Sequence, residues 1–358
     1  MPPRGRTAGP FTPALPDPRC KPLQGPTAMT RKTSALPASP LRRRALAAGI
    51  AGLLGTTAAS LLPGRAFAAG TLRIGFQKYG TLNLLRARGT LETALAPQGV
   101  KVTWSEFPAG PQMLEALNVG SIDFGNVGEA PPIFAQAAGA DLLYVGNQPA
   151  APKGEAIVVP KDSPLKSVSE LKGKRVALNK GSNVHYLLVK ALEKAGVAYA
   201  DIQPVFLPPA DARAAFERGA VDAWAIWDPF LAAAEKQLGA RVLADGTGIV
   251  SNHQFFLSSR GYAEREPVVL RALLDELVKL DVWAERNAKE VVSLLQPLTG
   301  LDVPTLELSA SRYSYGIAPL TPQVTAEQQA IADTFSSLKL IPKPIRIADV
   351  VWKPAAAR

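Results

Sequence analysis

Cysteine and histidine are scarce in this chain of 358 residues, which contains one cysteine, Cys20, and two histidines, His185 and His253. Because Cys20 lies near the N-terminus, the rest of the chain can form no disulfide and offers no thiol for catalysis. Two distant histidines, without an HExxH pair or cysteine ligands, give no familiar zinc arrangement. We therefore expect neither a metal ion nor another cofactor.

Motifs of hydrolytic and nucleotide-binding enzymes are also missing. The chain has no GxSxG elbow and no Walker A loop, and Gly246-Thr247-Gly248 lacks the third glycine of a dinucleotide-binding fingerprint. An enzyme on this chain would need an acid–base pair in a cleft, for which His185 is the only plausible member. We keep that alternative open and expect no enzymatic activity.

Excess positive charge is absent from most of the chain, although the formal net charge is +10. Residues 1–68 hold ten Lys and Arg and a single acid, Asp17, so residues 69–358 carry a net charge of about +1. A nearly neutral body offers no electrostatic footprint to DNA or RNA. We therefore expect no nucleic-acid partner.

The N-terminal segment has the order of an export signal. Arg42-Arg43-Arg44 precedes an apolar run over residues 45–62, and Ala66-Phe67-Ala68 supplies the small residues of a processing site. We predict a leader and signal peptide over residues 1–68, cleavage near Ala68 and a periplasmic location. A retained membrane anchor is the alternative.

Two features of this segment stay open. Arg43-Arg44-Ala45-Leu46 fits a twin-arginine signal loosely, so the sequence does not decide between the two export routes. The proline-rich stretch before Met29 leaves both Met1 and Met29 as possible start residues.

Strand and helix patterns alternate after residue 70. Leu72 to Phe76 alternates like a strand, Leu82 to Leu95 is predicted to be a helix, and Pro111 to Val119 a second helix, followed by a strand at Ile122 to Phe124. This alternation predicts an α/β fold with helices around mainly parallel sheets.

A short internal echo suggests two similar lobes. Gly120-Ser121-Ile122-Asp123 recurs as Gly219-Ala220-Val221-Asp222, each time between a helical stretch and an apolar strand, although chance can produce this junction. Apolar strands at Ala156–Val159 and Gln254–Leu257 are the expected crossings between lobes. Helices from Pro267 to Ala288 and from Ala326 to Leu338 are expected to cover the first lobe. The predicted division is lobe 1 over 69–155, lobe 2 over 156–254, and a return to lobe 1 over 255–358.

Polar, glycine-containing turns follow several predicted strands. They are Gln77-Lys78-Tyr79-Gly80, Gly125-Asn126-Val127-Gly128-Glu129, Lys180-Gly181-Ser182-Asn183 and Trp227-Asp228-Pro229-Phe230. In open α/β sheets the ligand crevice lies beyond the carboxyl ends of the strands, so these turns predict the pocket. Helix N-termini suit an anion. Ser182 precedes a predicted helix from His185 to Leu192, and its hydroxyl can cap that helix or donate to a bound oxygen.

Three long segments resemble one known family. FPAGPQMLEALNVGSIDFG (107–125), PPIFAQAAGADLLYVG (131–146) and DARAAFERGAVDAWAIWDPF (211–230) are similar to the periplasmic aliphatic sulfonate-binding proteins of ABC importers, within a wider group that binds nitrate, taurine and thiamine-pyrimidine precursors. The resemblance runs from about Thr71 to Trp352. It implies a monomeric, two-lobed periplasmic-binding-protein fold of type II, with mixed sheets flanked by helices and a hinge between the lobes. It also implies an inner-membrane permease and ATPase as partners in sulfur uptake.

The resemblance further implies a set of ligand-binding residues. In the first lobe these are Gln77, Asn126, Val127, Gly128 and Glu129, and in the second lobe Gly181, Ser182, Asn183, Trp227 and Asp228. The family usually has Ser-Thr-Gly-Asp at 126–129 and Ser-Ser-Ser or similar at 182–184. Both departures remove hydroxyl donors, so taurine, nitrate or another small organic anion remains the alternative ligand.

The expected chemistry is that of an alkanesulfonate held by neutral donors. A sulfonate stays ionised at physiological pH and accepts hydrogen bonds through three oxygens, so backbone N–H, hydroxyl and amide groups suffice without a buried arginine. Glu129 and Asp228 would repel it. We therefore expect these carboxylates to point elsewhere or to pair with a cationic tail such as the ammonium of taurine.

Overall fold

The computed structural model describes residues 70–78 and 80–353. Within these residues two five-stranded mixed sheets are flanked by helices, one sheet in each lobe. The leader, its processing site and Tyr79 lie outside the described residues. No helix in the described residues combines the length and the apolar character needed to cross a membrane.

The first sheet has the spatial order β2, β1, β3, β10, β4. Its strands are β1 (Thr71–Phe76), β2 (Lys101–Glu106), β3 (Phe124–Gly128), β4 (Leu142–Asn147) and β10 (Gln254–Ser259). β10 runs antiparallel to both of its neighbours, whereas β1 is parallel to β2 and β3.

The second sheet repeats this pattern in the order β7, β6, β8, β5, β9. Its strands are β5 (Glu155–Val159), β6 (Arg175–Leu178), β7 (Gln203–Phe206), β8 (Ala223–Trp227) and β9 (Arg241–Asp245). Here β5 is the antiparallel strand, in the position that β10 has in the first sheet.

Helices connect the strands and cover the sheets. They are α1 (Thr81–Arg88), α2 (Thr90–Leu95), α3 (Gly110–Asn118), α4 (Ala130–Ala137), α5 (Asn183–Lys194), α6 (Pro209–Glu217), α7 (Phe230–Leu238), α8 (Arg260–Arg265), α9 (Pro267–Arg286), α10 (Ala288–Thr299), α11 (Val303–Ala310) and α12 (Pro322–Ser337). Pro at the first turn of α3, α4, α9, α11 and α12 starts the helix where its missing N–H costs nothing.

The two antiparallel strands are the ones that the chain reaches by crossing between the sheets. The chain leaves β4 at Asn147 and enters the second sheet at Glu155, and it leaves β9 at Asp245 and returns at Gln254. Both crossings are short, and they form the hinge between the lobes.

The recurring Gly–x–x–Asp segments occupy the same junction in both sheets. The backbone N–H of Arg73 donates to Asp123 at 2.9 Å and its guanidinium pairs with the same carboxylate at 2.6 Å. Arg175 makes the same contacts with Asp222 at 2.8 and 3.2 Å. Each arginine also donates to the carbonyl of the glycine three residues before its aspartate. The echo in the sequence therefore corresponds to one structural junction used twice.

Separate hydrophobic cores support the two lobes. The core of the second lobe packs around Trp224, Leu187 and Phe216. The first lobe has apolar layers on both faces of its sheet, one around Leu72 and Leu273 and one that includes Phe335. The layer that includes Phe335 also contains Tyr186 of α5, so apolar contacts join the two lobes as well.

Several predicted boundaries were wrong. The helix predicted from Leu82 to Leu95 is two helices, because Gly89 adopts a left-handed conformation with φ of 63° and ends α1. The helix predicted from Pro267 ends at Arg286, two residues before Ala288, where α10 begins. α12 begins at Pro322, four residues before the predicted Ala326, because the side chain of Thr321 accepts from Val324 N–H and caps it.

The predicted turn over Gly125–Glu129 was also wrong for most of its length. The segment Phe124–Gly128 is the buried strand β3, and β10 pairs with it in antiparallel register over Phe124 to Gly128. Its glycines and asparagine weaken the local strand signal, so the strand exists because a distant segment pairs with it.

Candidate functional site

A small cavity lies between the lobes, with about 340 Å³ of space that no atom fills, part of it open to solvent. The described residues that line it are Gln77, Gly110, Gly128, Pro131, Ser182, Asn183, Trp227, Asn252 and Gln254. These side chains and backbone groups are neutral. Among the described residues, no three His, Asp or Glu side chains are grouped to hold a metal ion.

Strand ends and helix starts from both lobes place these residues. Gln77 follows β1, Gly128 ends β3 and Trp227 ends β8, so three carboxyl ends of strands meet at the cavity. Gly110 begins α3, and Ser182 and Asn183 begin α5. The first N–H groups of a helix have no intrahelical acceptor, so both helix starts present backbone donors here.

Ser182 occupies the N-cap position of α5 but does not cap the helix with its side chain. Its hydroxyl donates to the backbone oxygen of Asn179 at 2.7 Å. Of the two roles that the sequence allowed for this hydroxyl, capping the helix is therefore wrong, and donation to a ligand stays a prediction. The bond to Asn179 holds the turn before α5, and the hydroxyl would have to rotate to donate to a ligand.

Asn183 uses both of its amide hydrogens within the protein. One bond goes to Glu155 Oε2 and the other to Asn252 Oδ1 at 3.1 Å. Asn252 is itself oriented because its Nδ2 donates to the backbone oxygen of Ala151 at 2.9 Å. What Asn183 offers to the cavity as a donor is consequently its backbone N–H at the start of α5.

Asn126 has unused hydrogen-bonding capacity next to this cavity. Its side chain is 1% exposed, and neither amide atom has a partner in the described part of the chain. Its backbone oxygen accepts from Gln77 Nε2 at 3.3 Å, and its Nδ2 lies 3.4 Å from where a Cβ on Gly80 would be. The amide of Asn126 therefore faces the turn that carries Gln77.

Five of the ten predicted residues line the cavity and five do not. Gln77, Gly128, Ser182, Asn183 and Trp227 line it, whereas Asn126, Val127, Glu129, Gly181 and Asp228 are absent from its described lining. The side chain of Val127 is fully buried in a hydrophobic core of the first lobe.

Neither predicted carboxylate is directed into the cavity lining. Glu129 Oε2 accepts from the backbone N–H of His253 at 3.2 Å, and burial raises the pKa of Glu129 to about 8. Asp228 Oδ1 accepts from Ala232 N–H at 2.9 Å and lies 3.6 Å from Arg312 Nη1. Burial raises the pKa of Asp228 to about 7, although Arg312 opposes the shift. Asp228 thus accepts a hydrogen bond from a backbone N–H in the first turn of α7.

Four lining residues and one neighbouring carboxyl were missed at the sequence level. Gly110 and Pro131 lie in segments already noted for their resemblance to the family, and their position at helix starts was the available signal. Asn252 and Gln254 flank the return crossing, where no local pattern marks them. Glu155 opens an apolar strand, and its acidic side chain beside four apolar residues was an overlooked signal.

His185 is committed to structural contacts. Its Nδ1 accepts from Gly181 N–H at 3.3 Å, and its Nε2 lies 2.9 Å from the hydroxyl of Tyr199. Burial, followed by the charge of Lys180, lowers the pKa of His185 to about 4. The ring does not line the cavity, and Phe134 of the first lobe stacks against it at 6.1 Å between ring centroids.

A wider groove lies beside the cavity and shares Pro131 with it. It contains about 1250 Å³ of unfilled space, including open solvent, between α3 and α4 of the first lobe and the turns before α5 and α6 of the second. Leu114, Phe134, Phe206 and Pro208 give it an apolar wall, and Lys180 and Glu115 lie on its lining.

Two mixed sheets joined by a double crossing, with a cavity between strand ends of both lobes, define a periplasmic-binding-protein fold. The model of the NMT1-like family matches residues 69–296. The chain belongs to the NMT1-like family of two-lobed proteins.

Relatives of known name are similar over most of the chain. An Escherichia coli protein named for binding aliphatic sulfonates is 46% identical over 284 residues, which cover 79% of this chain and 89% of the relative. The structure of the alkanesulfonate-binding protein SsuA from Xanthomonas axonopodis pv. citri, bound to MOPS, is 47% identical with a TM-score of 0.76, covering 79% of this chain and 98% of that one. The periplasmic aliphatic sulphonate binding protein SsuA from Escherichia coli matches with a TM-score of 0.73 and 46% identity, over 80% of this chain and 94% of that one.

Proposed function

We propose that this protein is the solute-binding component of an ABC importer and that it captures an aliphatic sulfonate between its lobes. The observation that carries the proposal is the neutral, donor-bearing lining of the interlobe cavity. A sulfonate needs hydrogen-bond donors and no proton exchange, and it is penalised by nearby carboxylates. Family membership and the sulfonate-binding relatives support the same ligand class.

Within this proposal each of the ten predicted residues keeps a role. Gln77, Gly128, Ser182, Asn183 and Trp227 surround the head group, and Asn126 supplies an amide from behind Gln77. Val127 and Gly181 contribute backbone only. Glu129 and Asp228 hold the cleft walls without touching the anion.

The remaining assignments belong to the same proposal. Residues 1–68 act as leader and signal peptide, cleaved near Ala68, and the mature protein is a periplasmic monomer. The second lobe begins at Glu155 and the return to the first lobe at Gln254, each one residue earlier than the sequence predicted, and the rest of residues 69–358 forms the first lobe. A permease and its ATPase at the inner membrane receive the ligand for sulfur uptake, and the protein turns over no substrate.

Calorimetric titration of the purified protein tests the ligand. We expect heat from ethanesulfonate and butanesulfonate, weaker heat from taurine because no carboxylate lines the described cavity to pair with its ammonium, and little from nitrate and sulfate. The absence of heat with every sulfonate would reject the proposal. Strong binding of nitrate or taurine alone would show that the protein has this fold but binds that other anion.

A second measurement addresses catalysis. We expect a bound sulfonate to be recovered unchanged after long incubation, because His185 is buried away from the cavity. Conversion of the ligand that disappears in His185→Ala would instead establish an enzyme.

A further inference from the structure

Glu155 is a buried acid next to the cavity whose contacts are only half satisfied. It is the first residue of β5, where the chain enters the second lobe, and its register partner is Trp227. Its Oε2 accepts from Asn183 Nδ2, while its Oε1 has no partner in the described part of the chain. Since Asn183 and Trp227 both line the cavity, Glu155 stands one side chain away from it.

A second buried acid, Glu129 of the first lobe, acts on Glu155 through its negative charge. Glu129, directly before α4, is 1% exposed, and its Oε1 also has no partner among the described residues. Both carboxyls are buried, and each lacks a basic side chain among its hydrogen-bond partners. Gly128, the residue before Glu129, lies against Asn183, which donates to Glu155, so desolvation and repulsion between the two carboxyls favour keeping at least one of them neutral.

Other polar and charged groups pack around the pair. Glu327 of α12 adds negative charge toward Glu129, and His253 lies between the Gln148 backbone oxygen at 2.8 Å and Glu327 at 3.3 Å. Tyr186 of α5 lies near Glu129, and at the end of β8 the carboxyl of Asp228 faces Arg312. The cation Arg312 is therefore engaged by Asp228 and Glu235 and not by the pair.

We propose that Glu155 is a positioning residue of the anion site, that it works as a neutral acid, and that ligand binding is therefore linked to the uptake of a proton by the Glu155–Glu129 pair. The inference rests on the proposed function, because it requires an anion in the cavity. Neutral Glu155 holds Asn183, and through it the start of α5, against Gly128 of the first lobe. An ionised Glu155 would repel the anion beyond that one side chain.

The direction of the pH dependence follows from the buried pair. Burial, then the charge of Glu129, raises the pKa of Glu155 well above its usual range. An anion in the cavity raises it further, since it disfavours a second negative charge nearby. The Glu155–Glu129 pair therefore keeps its proton to higher pH in the liganded protein than in the free protein. Between the pKa of the pair in the free protein and its pKa in the liganded protein, the affinity for the anion falls as pH rises.

Titration of butanesulfonate into the protein at several pH values tests this linkage. We expect the Kd to be constant near pH 6 and to rise by up to about tenfold per pH unit in the range where one proton is taken up. Calorimetry in two buffers of different ionisation enthalpy, Tris and bicine, should show proton uptake near pH 8. Sulfonate buffers are avoided, because a relative binds MOPS.

Glu155→Gln is the decisive variant. Glutamine keeps an acceptor for Asn183 and cannot ionise, so we expect affinity within about threefold of the parent at pH 6 and no loss at pH 9. Glu155→Ala removes the partner of Asn183 and should weaken binding at every pH. Glu264→Gln, which changes an exposed acid of α8 in the first lobe, should keep the pH dependence and serves as the matched control.

The outcomes separate this inference from the proposed function. Sulfonate binding without proton uptake, or with the same pH dependence in Glu155→Gln, would overturn the linkage and leave the sulfonate receptor intact. Absence of sulfonate binding at all pH values would overturn both. Infrared spectroscopy gives a ligand-independent check, since a protonated-carboxyl band at neutral pH must be present in the parent and must weaken in Glu155→Gln.

Discussion

Gly128 allows the two lobes to approach each other at the cavity. A Cβ at this position would lie 2.9 Å from the Cβ and Cγ atoms of Asn183 in the other lobe, which is closer than side chains pack. The strand end that carries Gly128 and the helix start that carries Asn183 can therefore close the cavity only while residue 128 has no side chain.

Gly128→Ala should weaken sulfonate binding by about 1 to 3 kcal/mol, because the added methyl group forces the lobes apart. Calorimetric titration measures the loss. Gly261→Ala is the matched control, since Gly261 lies in α8 with its nearest neighbour, the end of Arg265, 4.0 Å away. That control should keep its affinity, and an equal loss in both variants would contradict the steric argument.

Ser182 combines a local bond with a place in the cavity lining. Its hydroxyl donates to the Asn179 backbone oxygen, so a ligand must compete with that bond. We expect Ser182→Ala to lower sulfonate affinity by about 1 to 2 kcal/mol if the hydroxyl turns to the ligand. A titration with unchanged affinity, together with a lowered free energy of unfolding, would restrict Ser182 to holding the turn before α5.

Helix α11 and Arg312, two residues beyond its end, contact both lobes. α11 packs against α10 and against α7 of the second lobe. Arg312 then places Nη2 2.6 Å from Glu235 of α7 and Nη1 3.6 Å from Asp228. A few residues later, the N–H groups of Gly316 and Ile317 donate to the buried Asp281 of α9, which fixes this segment to the first lobe.

Arg312→Gln should lower the free energy of unfolding by about 1 to 2 kcal/mol and speed ligand dissociation, because it leaves the buried Asp228 without its cation. Chemical denaturation and stopped-flow release measure the two effects. Arg260→Gln removes the ion pair with the exposed Asp141, both within the first lobe, and should change stability by less than about 1 kcal/mol. A dissociation rate that stays the same in Arg312→Gln would exclude a role in holding the lobes together.

The molecule as a whole carries several buried acids with raised pKa values. Burial raises the pKa of Glu129 to about 8 and of Asp228 to about 7, and it raises the pKa values of Glu155 and Asp281 as well. In each case the folded state binds a proton that the unfolded state has already lost. Stability is therefore greatest below the unfolded values and declines as pH rises toward the folded ones.

We expect the free energy of unfolding to fall between pH 5 and pH 9, by about 1.4 kcal/mol for each pH unit over which one such proton is retained. Urea denaturation at pH 5, 7 and 9 measures the slope. Asp228→Asn and Glu155→Gln should each flatten it. A stability that is constant or rises over this range would show that these acids ionise freely in the folded protein.

Local patterns of the sequence determined the class of this protein. The alternation of strands and helices, the repeated Gly–x–x–Asp junction and the three family-like segments predicted the two-lobed fold, which the structure and the comparisons confirm. Gln77 and Ser182 could be predicted as site residues because the end of a strand and the start of a helix are each marked by neighbouring residues in the chain.

Only the tertiary structure decided which of the predicted residues line the cavity. Gly125 to Gly128 form a strand because β10, more than a hundred residues away, pairs with them, and Asn183 faces Glu155 because the second crossing places Asn252 beside it. Only the tertiary structure showed that Glu155 is a buried acid at the boundary between the two lobes. Such contacts join segments that are far apart in the chain, and a single sequence records each partner's residue type without recording that they touch.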